Sequence, residues 1–302
     1  MLSPKEKKLL VTHKPWGVIL FKRNIDTLKQ TKKLISSIKK IMKDNKYPIL
    51  IDEEGGSVSR LKKIIDNKLF SQKFFGDLFI KNKKNSIALY RYYIKSICGI
   101  FKLLGININT VPVLDALKKH THNVIGNRSY SKDINIIRNL GAICVKSYKK
   151  NKIATVIKHI PGHGDALSDS HKKLPIVETS YSKLNNVDFE CFRQASSLFA
   201  MTAHILYSQI DKKNVSTHSK IIINNVIRKK IGFKGILISD DISMKALRHN
   251  LIINAKKSLD AGCNLVLYCG GKYKESYKLL KHMPLIDKFT KKKTSEFYKF
   301  LR

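Results

Sequence analysis

Acidic side chains are scarce in this sequence: 22 Asp and Glu face 59 Lys and Arg, leaving a formal net charge of +37. A surplus of that size invites a nucleic acid or an anionic membrane as partner. The lysines, however, are scattered along the whole chain among abundant Ile and Asn, residues that all have AT-rich codons, rather than gathered on one helix or tail. They read as a solvated surface, with no specific nucleic acid and no membrane as partner. Long apolar runs are missing too. No stretch of about 18 apolar residues marks a membrane span, and the opening Met1-Leu-Ser-Pro-Lys-Glu-Lys-Lys has neither the apolar segment nor the small-residue cleavage site of a secretory signal. A cytoplasmic protein is expected. The five cysteines stand singly at Cys98, Cys144, Cys191, Cys263 and Cys269; the last two are spaced C-x5-C inside an apolar run, unlike a C-x2-C zinc knuckle. They read as reduced core thiols. No Pro/Gly-rich hinge, low-complexity linker or repeat divides the chain. A single domain over residues 1–302 is therefore expected, and 43% hydrophobic residues suffice for a sizeable core.

What is present is a series of short apolar runs at intervals too long for hairpins: residues 17–21, 48–52, 107–115, 154–159, 198–204, 235–240 and 264–268. They are apolar throughout rather than alternating, as buried parallel strands are. Helical spacing fills the intervals, for instance at Leu28, Leu34, Ile35, Ile38, Ile41 and Met42 after Asp26 as N-cap, and at Ile134, Ile137, Leu140 and Cys144 after Asp133. A βαβα order predicts a parallel sheet covered by helices. The runs number seven, and a closed (β/α)-barrel needs eight strands.

Five of the runs end in a titratable residue: Asp52, Asp115, Lys158-His159, His204 and Asp240. Barrel enzymes gather their chemistry at this end of the strands while the strand bodies fill the core. Three segments add to the pattern. In Ile51-Asp-Glu-Glu-Gly-Gly-Ser-Val-Ser-Arg60, two glycines follow a strand, where a tight backbone lets a ligand approach. Lys158-His-Ile-Pro-Gly-His-Gly-Asp165, continuing to His171, concentrates histidines and aspartates in a long loop, and such loops are usually functional. Ser239-Asp-Asp-Ile-Ser-Met244 closes a strand with adjacent carboxylates, of which alternation points only one into the mouth. The histidine spacing H-x3-H-x7-H is a conceivable metal set, but a Pro-Gly turn breaks the helix such spacings use, and no metal or organic cofactor is expected.

Together these segments resemble the family 3 glycoside hydrolases, specifically the bacterial β-N-acetylhexosaminidases of peptidoglycan recycling. The matching stretches are residues 51–60, Arg128-Ser-Tyr130, 158–171, Met201-Thr-Ala-His204 and 235–244, in that order, within a resemblance running from about His13 to Gly270. It implies a TIM-type (β/α)8 barrel. It also implies a retaining enzyme that removes terminal β-linked N-acetylglucosamine from muropeptides through Asp240 as nucleophile and His171 as acid/base, paired with Asp169. Substrate contacts fall on Asp52, Arg60, Arg128, Lys158 and His159. Lys158 or Arg128 would keep Asp240 ionised, and an imidazole needs no large pKa shift to work near neutral pH. Gly162 and Gly164 would let the histidine loop close over the sugar. Asp241 is expected to cap a following helix, and His163 and His204 to orient loop and strand ends. The partner implied is a small muropeptide or amino sugar, bound by a monomer.

Two departures stand out. The family carries a short strand ahead of the segment matching His13, and none is readable here, so the barrel is expected to have an eroded or open first position. Ser57 stands where the family has an arginine. Past Gly270 the Lys-rich sequence does not align. Competing readings are a non-catalytic sugar-binding protein, a basic polyanion-binding protein, which salt would weaken steeply, and a phosphorolytic enzyme on the same scaffold.

Overall fold

The structure is a computed structural model that describes the chain apart from Lys119, His120, Leu167, His171 and Gln194. All seven apolar runs form strands: β1 (Val18–Leu20), β2 (Ile49–Ile51), β3 (Ile108–Asn109), β4 (Ala154–Ile160), β6 (Phe199–Thr202), β8 (Ile236–Asp241) and β9 (Leu265–Leu267). They make one sheet in the order β1-β2-β3-β4-β6-β8-β9, and every pairing is parallel. A two-residue parallel ladder, β5 (Ile176–Val177) with β7 (Leu206–Tyr207), pins the loops that follow β4 and β6.

Alternation along the strands sorts their side chains into two cores. Leu50, Ile108, Val156, Phe199, Met201, Ile236 and Ile238 pack together inside the curl. Their strand neighbours Leu20, Ile49, Ile51, Ile157, Ala200 and Leu237 pack outward against the helices. The fold is thus the expected α/β barrel of TIM type, built on seven strands, with the first position eroded: residues 4–13, ahead of β1, are helical.

The helices are α1 (Pro4–His13), α2 (Leu28–Met42), α3 (Gln72–Lys81), α4 (Lys83–Leu104), α5 (Ile134–Lys150), α6 (Tyr181–Asn186), α7 (Leu251–Ala261), α8 (Tyr273–His282) and α9 (Lys288–Phe300), with a π-type helix over Ile222–Lys230. The helix expected after Asp133 is α5, and Asp133 caps it, accepting from the Asn135 N–H at 2.8 Å. Asp26 does not cap α2. It lies one residue too early and pairs with Lys63 Nζ at 2.7 Å, while Thr27 Oγ1 accepts from the Gln30 N–H at 3.1 Å. Among the described residues no helix is long and apolar enough to cross a membrane. All five cysteines are free thiols, and four of them are buried.

The Lys-rich segment past Gly270 folds into α8 and α9. The latter buries Thr290, Thr294 and Phe297, a stripe at helical spacing with lysines on the other side. Phe297 is fully buried beneath the barrel, its ring 5.9 Å from Trp16 and 5.7 Å from Phe199, and those two rings are 5.6 Å apart. This aromatic triad plugs the N-terminal end of the strands, and burying each ring contributes roughly 1.5–3 kcal/mol.

Candidate active site

The opposite end of the barrel is polar, and its construction begins after β2. Glu53 turns under the chain and accepts from the N–H groups of Arg60 (2.8 Å) and Leu61 (2.9 Å), from Ser59 Oγ (3.2 Å) and from the Asn67 amide, folding residues 53–61 into a tight loop. The paired glycines belong to that loop. Gly55 and Gly56 have φ of +81° and +60°, and a Cβ on Gly55 would lie 2.1 Å from the Phe70 carbonyl oxygen. The close approach expected of a ligand is thus made by the protein's own backbone.

Asp52 and Glu54, two residues apart on one face, hold the cations of the mouth. Asp52 accepts from Arg60 Nη2 at 2.8 Å, from Lys158 Nζ at 3.3 Å and from the Thr110 hydroxyl. Glu54 takes a bidentate pair of bonds from Arg128, at 2.7 and 3.0 Å, and an ion pair with Lys158 Nζ at 2.6 Å. Burial alone would raise both carboxyls. Lys158 and Arg60 outweigh it for Asp52, and Arg128 and Lys158 for Glu54, so both lie well below the usual carboxylate range.

Arg128 Nη2 also lies 3.4 Å from His159 Nε2, and His159 Nδ1 lies 2.7 Å from the buried Asp115 carboxylate. Asp115 further accepts the backbone N–H groups of His159 and His163. Successive strand residues normally point to opposite faces. Lys158 and His159 both reach this network because the register of β4 against β6 shifts between Ile157 and Ile160. One continuous chain of charges and hydrogen bonds therefore joins the ends of β2, β3 and β4.

Asp240 stands across the mouth, near the end of β8. It is half-buried, and its carboxylate accepts one bond, from the Asp241 N–H at 2.7 Å, with no other partner among the described residues. Burial would raise its pKa; His204, His159, the Asp241 N–H and Lys158 together outweigh burial and hold it below the usual range. The ionising influence expected of Lys158 or Arg128 comes first from the two histidines, with Lys158 after them. Asp241 caps no helix: α7 begins ten residues later with Asn250 as its cap. Asp241 organises a turn, accepting from the Ser243 N–H (3.0 Å), Ser243 Oγ (2.7 Å) and the Cys269 N–H (3.1 Å).

His204 is buried between Thr217 Oγ1, 2.7 Å from Nδ1, and the Asp241 carbonyl, 3.1 Å from Nε2, which ties the end of β6 to β8. His163 is buried edge-on to His159, and burial pulls its pKa down to about 4. His204 thus holds two strand ends together as anticipated, whereas the His163 ring has its Nδ1 buried without a hydrogen-bond partner. Ser57 donates to Asn127 Oδ1 at 2.7 Å.

The histidine loop is anchored at several of its described residues. The Tyr207 hydroxyl donates to the Gly162 carbonyl, Thr121 Oγ1 to the Gly164 carbonyl at 2.6 Å, and the Ala246 N–H to the Ser170 carbonyl at 3.1 Å. Lys118 Nζ bridges the buried Asp188 (2.7 Å) and Asp165 (3.1 Å) beneath it. The glycines are packing positions rather than hinges. A Cβ on Gly162 would lie 2.7 Å from Asp188 Cβ, and one on Gly164 would lie 2.0 Å from the Ala116 carbonyl oxygen. Asp169 is half-buried, and the bond from Ala246 brings its segment against the turn that follows Asp240. His171, the expected acid/base, lies outside the described residues.

The geometry brings together Asp52, Arg60, Arg128, Lys158 and His159, with Asp240 opposite. It adds Glu54 and Thr110, which sequence reasoning did not place in the site, and gives Asp115, expected only as a strand-end residue of the mouth, the role of holding His159; Glu54 was within reach, since alternation puts it on the same face as Asp52. Such a mouth, dense in fixed donors and acceptors and offering one lightly bonded carboxylate, is that of a barrel enzyme for a small, hydroxyl-rich substrate.

Comparison with known proteins agrees. The family model described as "Glycosyl hydrolase family 3 N terminal domain" matches residues 2–291. The beta-hexosaminidase of Haemophilus influenzae (strain Rd) is 33% identical over 276 residues, 89% of this chain and 76% of that protein. That of Neisseria meningitidis serogroup C (strain 053442) is 32% identical over 274 residues, 89% of this chain and 75% of its own. Among solved structures, NagZ from Neisseria gonorrhoeae in complex with N-trifluoroacetyl-D-glucosamine superposes with a TM-score of 0.87 at 28% identity, covering 100% of this chain and 86% of that one. The chain belongs to glycoside hydrolase family 3 and is a glycosidase of the β-hexosaminidase type.

Proposed function

We propose that this enzyme releases terminal, non-reducing β-linked N-acetylglucosamine from peptidoglycan fragments, GlcNAc-anhydroMurNAc with or without its peptide, acting as a monomer in the cytoplasm. The observation that carries the mechanism is the state of Asp240: ionised, half-buried, and holding a single backbone hydrogen bond. A nucleophile needs free lone pairs and a low pKa, and the carboxylates of Asp52 and Glu54 across the mouth are spent on cations.

In this reading Asp52, Arg60, Arg128, Lys158 and His159 bind the hydroxyls and N-acetyl group of the terminal sugar and set the anomeric carbon before Asp240. The Asp240 carboxylate attacks that carbon while His171 protonates the departing oxygen. Water then attacks the glycosyl-enzyme with His171, now neutral, taking its proton. Asp169, two residues earlier, accepts from the imidazole and supports its charged form.

The test is release of p-nitrophenol from its β-N-acetylglucosaminide, alongside hydrolysis of GlcNAc-anhydroMurNAc. Asp240→Ala, shown folded by circular dichroism, is expected to lower kcat by about 10³-fold or more, and His171→Ala by about 10²–10⁴-fold on the natural disaccharide. An Asp240→Ala variant that keeps more than about a tenth of wild-type kcat sinks the nucleophile assignment. Turnover that requires phosphate would replace hydrolysis with phosphorolysis.

A further inference from the structure

The first apolar run, residues 17–21, ends in an aromatic ring, Phe21, rather than in a titratable group. Ile19 packs inside the curl and Leu20 outward against the helices, and the chain is still extended at Phe21, with φ of −120° and ψ of 172°. Alternation therefore turns Phe21 inward. Leu20 is paired with Ile51, so Phe21 stands level with Asp52 of the neighbouring strand, at the polar end of the barrel. Its side chain is half-buried, yet it joins none of the buried apolar clusters formed by the described residues. It meets two cations instead. The Arg60 guanidinium carbon lies 5.0 Å from the ring centroid and that of Arg23 4.8 Å. Arg23 is fixed in turn to the segment after β9, its Nη2 donating to the Cys269 carbonyl at 2.6 Å. The backbone under the ring is locked as well: the Phe21 N–H donates to Asn24 Oδ1 at 3.0 Å, and the Asn24 N–H to the Phe21 carbonyl at 2.8 Å.

We propose that Phe21 is a positioning residue for Arg60, its ring holding the guanidinium in the plane from which it meets the terminal sugar. The inference rests on the reading of Arg60 as a sugar contact. The two arginines of the mouth are held very differently. Arg128 has two bonds to Glu54, a third to the Val124 carbonyl at 3.1 Å and the His159 ring at 3.4 Å. Arg60 has one side-chain hydrogen bond, from Nη2 to Asp52 at 2.8 Å, and its Nε is buried without a hydrogen-bond partner among the described residues. A guanidinium is a flat fork, and one bond at one tip leaves that plane free to turn. The aromatic face removes the freedom, because a cation within about 6 Å of a ring centroid is drawn to the ring quadrupole. Arg23, anchored on Cys269, bears on the same ring and restrains it. A contact of this kind at a partly exposed site corresponds to about two- to fivefold in an equilibrium constant.

The first test needs no turnover. In nitrogen–proton correlation spectra of the full chain, an arginine Nε–H lying against a ring is shifted upfield by the ring current, and its loss in Arg60→Ala assigns it. Phe21→Leu, shown folded by circular dichroism, should move that signal downfield. Phe21→Tyr, which keeps the ring face, should leave it in place. The second test is kinetic, on p-nitrophenyl β-N-acetylglucosaminide. Phe21→Leu should raise KM by about three- to fivefold with kcat within about twofold, as the loss of a uniform binding contact does, and Phe21→Tyr should restore KM. In an Arg60→Ala background the same leucine substitution should change kcat/KM by less than about 1.5-fold, because the ring acts through the guanidinium. An Arg60 signal unmoved in Phe21→Leu overturns the proposal. So does an equal leucine effect on kcat/KM in both backgrounds, which would make the ring a wall of the site in its own right. Wild-type protein that leaves the glycoside intact refutes the sugar reading, and the resonance alone then decides whether Phe21 sets Arg60.

Discussion

Glu54 is the residue whose removal says most about how the mouth is held. Its carboxylate is 1% exposed and meets Arg128 at 2.7 Å and Lys158 at 2.6 Å, cations whose own side chains are 12% and 3% exposed. In Glu54→Ala, Lys158 keeps Asp52 at 3.3 Å, but Arg128 keeps only the Val124 carbonyl at 3.1 Å and the His159 ring at 3.4 Å. Removing one partner of a buried ion pair costs about 3–5 kcal/mol, because a charge is left uncompensated. At a few degrees per kcal/mol, Tm should fall by roughly 6–20 °C. Glu54→Gln keeps the shape and one acceptor and should fall about half as far. Because Arg128 and Lys158 hold the folded-state pKa of Glu54 below its unfolded value, its contribution is fully present above the unfolded carboxylate range and is lost as pH falls through the folded pKa. The gap between wild type and Glu54→Ala should therefore narrow in acid. Thermal melts by circular dichroism at pH 7 and pH 3 measure both effects. An alanine variant melting within about 2 °C of wild type at pH 7, or a glutamine variant worse than alanine, would refute the reasoning.

Two further outcomes follow from the anchored histidine loop. In Gly164→Ala the new Cβ would sit 2.0 Å from the Ala116 carbonyl oxygen, so the backbone leading to Asp169 must move. A misplacement near 1 Å costs about 10²-fold, and kcat/KM on the p-nitrophenyl glycoside should drop by that factor; a change smaller than about threefold would show that the loop accommodates the methyl. Asp188 is pushed up to about 6, by burial first and by Asp165 and Asp115 after it, against Lys118. A carboxyl with a raised folded-state pKa binds its proton more tightly when folded, so stability falls as pH rises from about 4 to about 6. Urea denaturation at pH 4.5 and 6.5 should show wild type losing on the order of 2 kcal/mol relative to Asp188→Asn across that interval, and parallel pH slopes would remove Asp188 as the cause.

The strands were legible because a parallel sheet covered on both faces leaves no polar side to disguise the run, as residues 48–52 and 235–240 illustrate. The site was legible where a titratable residue ends such a run: Asp52, Lys158, His159 and Asp240 meet at one mouth. Other features had no one-dimensional signal. The β5 and β7 pairing is two residues long, too short for any period. The role of Arg128 depends on Glu54, which is distant in sequence, and motif spacing is silent about which cation neutralises which carboxylate. The glycines at 55, 162 and 164 looked like gaps for a ligand or hinges, yet the atoms that crowd them, the Phe70 and Ala116 carbonyls and Asp188, come from other segments. The lysines of α9 hid the three buried positions that make it part of the barrel.

Phe297 meets Trp16 and Phe199 under a sheet whose polar network is complete between Asp52 and Asp241. Every residue of that network precedes α9 in the chain, so the residues of the mouth are synthesised before the helix that floors the barrel. Until α9 emerges, the interior side chains around Phe199 have Trp16 but not Phe297 beneath them, and part of the apolar lining faces water or a chaperone. The contact of Phe297 with Trp16 joins residues far apart in sequence, a kind that is slow to find by diffusion. A release assay on stalled chains of increasing length should then show protease resistance arriving abruptly, only with α9.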